Sequence, residues 1–218
     1  MYIKIDDKTL KILAITESVP NKSLGTTIIE DMNITTKNPD YVVVWRESGG
    51  IKVRERTTEE KAKIDEQKFR QLKTKKLRIF EKETKSHIET SYPEIKQRSD
   101  VNDKEYWGAW LISHFPSTYT TDNLYQKFFT SAARVIEGTS DFQTEVENLK
   151  EVATFADTDE EAKYAVAIDQ LLKVSVRQGW VQACKAEYAI KSAVAQQATT
   201  FDELNAVSLN LIPYPLQG

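Results

Sequence analysis

Ser91-Tyr-Pro-Glu-Ile-Lys-Gln-Arg-Ser-Asp-Val-Asn-Asp103 separates two helical patterns of different chemistry. Lys, Arg and Glu dominate upstream, whereas aromatic residues led by Trp107 and Trp110 appear downstream. Pro93 has no backbone N–H and biases Tyr92 toward extended backbone, so a helix arriving from upstream stops here. Asn102 or Asp103 then offers a side-chain oxygen to cap a new helix. The segment reads as a hinge.

Upstream of the hinge, Thr57-Thr-Glu-Glu60 matches a capping box, and a helix can run from there to about Thr90. Its length of about 45–50 Å follows from 1.5 Å per residue. Ala62, Phe69, Leu72 and Ile79 form one apolar stripe, and Leu77, Phe80, Thr84 and Ile88 form a second, offset one. A seam this narrow calls for packing against other helices or a partner chain. Before this helix the pattern is β-like. Tyr2–Ile5 and Lys11–Thr16 flank the turn-forming Asp6-Asp-Lys-Thr9, and Tyr41–Arg56 holds two runs joined by Ser48-Gly49-Gly50. Ile51 and Val53 alternate with Lys52 and Arg54, so one face of that strand is buried. A further strand is expected at Thr26–Ile29.

Downstream, Tyr106, Trp107, Trp110, Leu111 and Ile112 recur at helical spacing until Pro116. Asp122 is placed to cap a helix through Leu124, Phe128, Ala132 and Ile136, with Gly138 as its C-terminal cap. Ser140-Asp-Phe-Gln143 and Thr158-Asp-Glu-Glu161 resemble capping boxes for helices over about 141–155 and 159–197. Gly179 marks a bend or a close helix approach, and Thr200-Phe-Asp-Glu203 opens a short last helix. Pro213 and Pro215 keep the apolar tail 209–218 extended. The fold class is therefore α+β. A β-rich module over 1–56, a long connecting helix over 57–92 and a helical domain over 93–218 with an extended tail make up the chain.

Composition narrows the function classes. A net charge of −3 lacks the basic excess of a general nucleic-acid binder. No run approaches the roughly 20 apolar residues of a membrane span. Acids within Met1–Asp7 argue against secretion by a signal peptide. Cys184 stands alone, which excludes an intrachain disulfide and a paired-cysteine zinc site. His87 and His114 lack metal-ligand spacing and read as satisfied surface histidines. Asp157–Glu161 lacks the glycine and terminal glutamate of a calcium loop and reads as a helix start. Cys184 sits in an Ala-rich helical run and reads as a buried thiol. No catalytic, cofactor-binding or metal-ligating residue is assigned.

The charge is segregated, with a basic stretch at Lys68–Arg78 and an acidic one at 141–169. Three readings stay open: solvated helix faces, pairing of basic with acidic surfaces between neighbours, and nucleic-acid binding by the basic helix.

A small β-rich front, a Lys/Glu-rich helix and then Tyr92-Pro93-x-x-Lys96-Gln97-x-Ser99-Asp100-x-x-Asp103-Lys104 resemble the pattern of tail-associated and tail-fibre-assembly proteins of tailed bacteriophages and prophages. The similarity covers about residues 40–112. It implies a non-enzymatic protein, found in the virion or in the host cytoplasm during assembly. Its implied partners are other tail or fibre proteins and further copies of itself in an oligomer. The large helical region after residue 116 favours a structural or adaptor part over a transient assembly chaperone. On this reading Lys73, Lys75, Lys76 and Arg78 line a contact surface, Trp107 and Trp110 are core or interface anchors, and Leu211, Ile212, Pro213 and Tyr214 are partner contacts.

Overall fold

Strand-forming residues occupy only the first quarter of the chain, and helices follow. The computed structural model describes every residue except Met32, Val152, Thr154, Ala156, Asp157, Gln217 and Gly218. The fold is α+β, with small N-terminal sheets preceding a multi-helical part. Two compact units, Met1–Leu72 and Lys73–Gly218, divide within the first helix.

In the first unit, β1 (Tyr2–Asp6) lies between β2 (Ile12–Thr16) and β3 (Thr26–Glu30), antiparallel to both. The β1–β2 turn forms because the Asp6 carboxylate accepts from the Thr9 amide at 2.8 Å and the Thr9 hydroxyl at 2.7 Å. β4 (Val42–Glu47) and β5 (Gly50–Glu55) make the second hairpin, where Gly50 takes φ +116°. Ile3, Ile5, Ile34 and Val42 are buried, and Ile51 and Val53 pack against them. The expected hairpins, the third strand and the alternation in β5 are all present.

The expected capping box starts α1 (Thr58–Ser91), with the Thr57 hydroxyl accepting from the Glu60 amide and the Glu60 carboxylate from the Thr57 amide. Glu55 fastens this corner. Its carboxylate accepts from Lys61 Nζ at 2.9 Å, from the Thr36 amide at 2.9 Å, and from the amide and hydroxyl of Thr35. Lys61 first, then these neutral donors, hold the Glu55 carboxyl at about 2 against an ordinary 4.5.

In the second unit, Phe80, Thr84 and Ile88 of α1 are buried at i, i+4 and i+8, the second of the two expected stripes. Ile79, from the first stripe, is exposed instead. α2 (Glu94–His114) begins one residue after Pro93, so 93–103 is a sharp corner and then helix, not a loop capped at Asn102 or Asp103. Pro93 takes extended backbone, and its carbonyl accepts from the Lys96 and Gln97 amides, opening α2 without a side-chain cap. The local capping preference of Asn102 and Asp103 is overridden because Asp100, a turn earlier, is fixed inside the protein.

α3 (Thr121–Glu137) is capped by Thr120, reciprocally with Asn123, rather than by Asp122. Thr120 has the extended backbone that a cap requires, which leaves Asp122 in the first turn near the positive helix end. Gly138 closes α3 at φ +69°. α4 (Phe142–Lys150) is capped by Asp141, one residue beyond the expected Ser140, because the Asp141 carboxylate reaches the Thr144 amide. It ends before the expected residue 155. The Leu149 carbonyl accepts the buried hydroxyls of Tyr119 at 3.2 Å and Tyr164 at 3.1 Å. Val152 and Thr154 of the expected extension lie outside the described residues.

α5 (Thr158–Gln197) follows; Asp157 of the calcium-like run also lies outside them. α6 (Phe201–Ala206) has the expected Thr200–Glu203 capping box. Leu111, Leu124, Phe128, Tyr164, Ile168 and Leu172 build a core shared by α2, α3 and α5. Gly179 is a close approach: a Cβ there would stand 2.8 Å from Ile136 Cδ1 of α3.

Two outcomes are expected. The folded pKa of Glu55 lies below its unfolded one, so its stabilisation is complete above about 4.5 and is lost as the pH falls toward about 2. Glu55→Gln should flatten this acid dependence, as read from hydrogen exchange in β4 and β5; unchanged pH dependence would contradict the assignment. Gly138→Ala should cost about 1–2 kcal/mol in urea unfolding, because an L-residue is placed in left-handed backbone.

Candidate protein interface

Asp100 of α2 has no solvent exposure. Its Oδ2 accepts from Arg177 Nε at 2.5 Å and from the Tyr92 hydroxyl at 2.8 Å. Its Oδ1 accepts from Arg177 Nη2 at 2.9 Å and from Lys96 Nζ at 3.0 Å. The guanidinium carbon also lies 5.8 Å from the Tyr92 ring centre. Burial pushes the Asp100 carboxyl up, but Arg177, Tyr92 and Lys96 outweigh it and leave it lowered. Burial, reinforced by the neighbouring carboxylate, pushes the Tyr92 hydroxyl far up, so it stays a donor. This cluster joins the end of α1 to α2 and α5.

The residues that carry the family resemblance mostly meet here. Tyr92, Lys96 and Asp100 bond one another, Gln97 Nε2 donates to the Tyr92 carbonyl at 2.8 Å, and Lys104 approaches Gln178 at 3.5 Å. The motif is a packing device for a helical corner. Arg177 was missed from sequence, but a signal existed: a lone charge among Val174, Val176, Trp180 and Val181 needs a buried partner.

The tail is docked on its own helices. Leu211, Ile212 and Tyr214 pack against Ile88, Tyr92, Trp180, Val181 and Cys184. The Ile212 carbonyl accepts from Trp180 Nε1 at 2.8 Å and bonds His87 Nε2 at 2.9 Å. Tyr214 meets Trp180 edge-on at 5.0 Å, and the Asn210 amide donates to Glu187 at 3.1 Å. Pro213 is exposed. His87, expected as a plain surface residue, is thus a tail contact, half-buried and 5.3 Å from the Trp180 ring. Cys184 is buried, and burial raises its thiol pKa.

The four basic residues divide. Lys73 Nζ donates to the carbonyls of Gln196 and Ala198 at 2.9 and 2.8 Å, at the end of α5. Lys76 Nζ donates to Leu204 and Asn205 carbonyls, at the end of α6. Both ammonium groups therefore stand at negative helix ends. Lys75 and Arg78 are exposed. Trp110 is buried in the core, stacked on His114 at 4.3 Å with Lys163 5.3 Å above its ring. Trp107 is half-buried and packs on the same core.

An open apolar groove of about 440 Å³ lies on this unit, its lining including Phe129, Ala133, Ile136, Gly179, Ala183 and Ala186. Phe129 is 63 % exposed at its edge. Among the described residues no three His, Cys, Asp or Glu side chains gather as a metal would require, and no helix is long and apolar enough to cross a membrane. Comparison of the chain with protein-family models, curated proteins and solved structures returns no match.

Asp100→Asn should destabilise this unit by about 3–5 kcal/mol, because Arg177 is left buried without its counter-charge. The double change Asp100→Asn with Arg177→Met should cost clearly less than the sum of the two single changes; additive costs would show that the groups are not coupled. Trp110→Ala should cost about 3–5 kcal/mol in chemical unfolding.

Proposed function

We propose that this protein is a non-enzymatic structural or adaptor component of a bacteriophage tail or related particle, acting through protein–protein contacts. The observation that carries the reading is the fate of the Tyr92–Lys104 motif. Tyr92, Lys96 and Asp100 of the motif bond one another and Arg177 of α5 at a buried corner, which suits a scaffold motif whose polar groups serve packing. The apolar groove edged by the exposed Phe129 supplies a surface suited to another protein.

The nucleic-acid alternative has a reduced basis, since Lys73 and Lys76 cap helix ends in this chain. Assembly chaperoning differs from a permanent particle role only in whether the protein leaves after assembly. The deciding experiment is quantitative detection of the protein in purified particles from its host, together with its mass by light scattering at low and high salt. Stoichiometric presence in particles is expected. A monomer in every condition, absent from particles, would overturn the proposal.

A further inference from the structure

Residues 209–216 fill a groove whose preferred ligand is therefore visible. α1 contributes His87 and Ile88, and α5 contributes Trp180, Val181 and Cys184. Together they form a slot with two donors converging on one carbonyl, that of Ile212, and an aromatic edge for Tyr214. An extended segment with an apolar residue, a free carbonyl and a tyrosine two positions later is what this slot recognises.

We infer that this slot also binds the same segment of a second copy of the chain, so that neighbouring copies exchange their residues 209–216. Three observations carry this. First, the segment has no helix or strand of its own among the described residues, and its docking contacts include side-chain packing, the bonds at Asn210 and Ile212, and the approach of Tyr214 to Arg177. A copy arriving from another chain would make every one of them. Second, Val207 leaves α6 on extended backbone at φ −69° and ψ 122° with its side chain buried, and Ser208 and Asn210 beyond it are exposed, so the segment after Val207 can swing outward while α6 and Val207 stay in place. Third, Pro213 and Pro215 keep the released segment near its bound, extended form, which lowers the ordering cost of docking in either place. With equal contacts in both arrangements, the balance between them is set by concentration and hinge geometry. Crowding of copies in an assembly favours exchange. The inference deepens the proposed role by naming one contact between copies, and it rests on that role only for the crowding.

The test uses full chains and the single cysteine, Cys184, whose thiol meets the Ile212 backbone in the docked state. A chain with Ile212→Cys and Cys184→Ser is mixed at high concentration with an affinity-tagged wild-type chain under mild oxidation. A disulfide between the two can form only if the segment of one occupies the slot of the other. The expected result is a tagged heterodimer on non-reducing gels whose yield rises with concentration and which disappears when the tagged chain carries Cys184→Ser.

Ile212→Cys alone, retaining Cys184, should close a bond within one chain and serves as the geometric control. A closed control with no heterodimer at any concentration would overturn the inference. So would failure of both bonds, since position 212 would then not rest on Cys184 at all. Leu211→Cys gives a second probe if Ile212→Cys reduces helical content. Particle association can fail while the heterodimer forms, and the reverse, so the two proposals fail separately.

Discussion

A carboxylate removed from water stays ionised only when donors surround it, and Asp100 has four of them from three side chains. That requirement fixes much of the geometry around it. Tyr92 must stand beside the first turns of α2, which sets the corner after α1, and Arg177 must face α2, which sets the rotation of α5 about its own axis. Such a pair contributes little net stability compared with an apolar replacement, because desolvation offsets most of the attraction. Its effect lies in penalising every other arrangement, in which at least one buried charge would lose its partner.

The same joint explains where sequence reading succeeded and where it stopped. Elements whose signal is local were legible: the Thr57–Glu60 and Thr200–Glu203 capping boxes, the Gly138 cap and the alternation in β5 all appear as read. The stretch 93–103 was not, because Asn102 and Asp103 carry the composition of a helix start. What keeps them inside α2 is a residue 77 positions from Asp100. The end of α4 failed for the same reason, since Tyr119, from the α2–α3 connection, and Tyr164, from α5, take the Leu149 carbonyl. Capping preferences are worth about 1 kcal/mol, and buried polar networks exceed that.

The segregated charge has a partly structural origin. An α-helix ends in carbonyls without intrahelical partners, and its dipole makes that end attractive to cations. Lys73 and Lys76 serve the ends of α5 and α6 in this way, so half of the four residues expected to form an open basic surface act within the chain. A basic run on a helix therefore signals a partner surface only after helix ends nearby have been counted. By that count Lys75 and Arg78 keep the outward orientation that the reading needed.

The tail gives the complementary lesson. Leu211, Ile212, Pro213 and Tyr214 read as partner contacts from an extended apolar tail. The structure supplies an intramolecular partner for Leu211, Ile212 and Tyr214 in α1 and α5. A sequence cannot distinguish the two, since the chemistry of docking is the same whichever chain provides the slot. What separates them is the tether, which raises the local concentration of the chain's own segment until neighbouring copies become comparably concentrated. A segment that satisfies its groove in isolation and a segment that links copies are then the same segment at different concentrations.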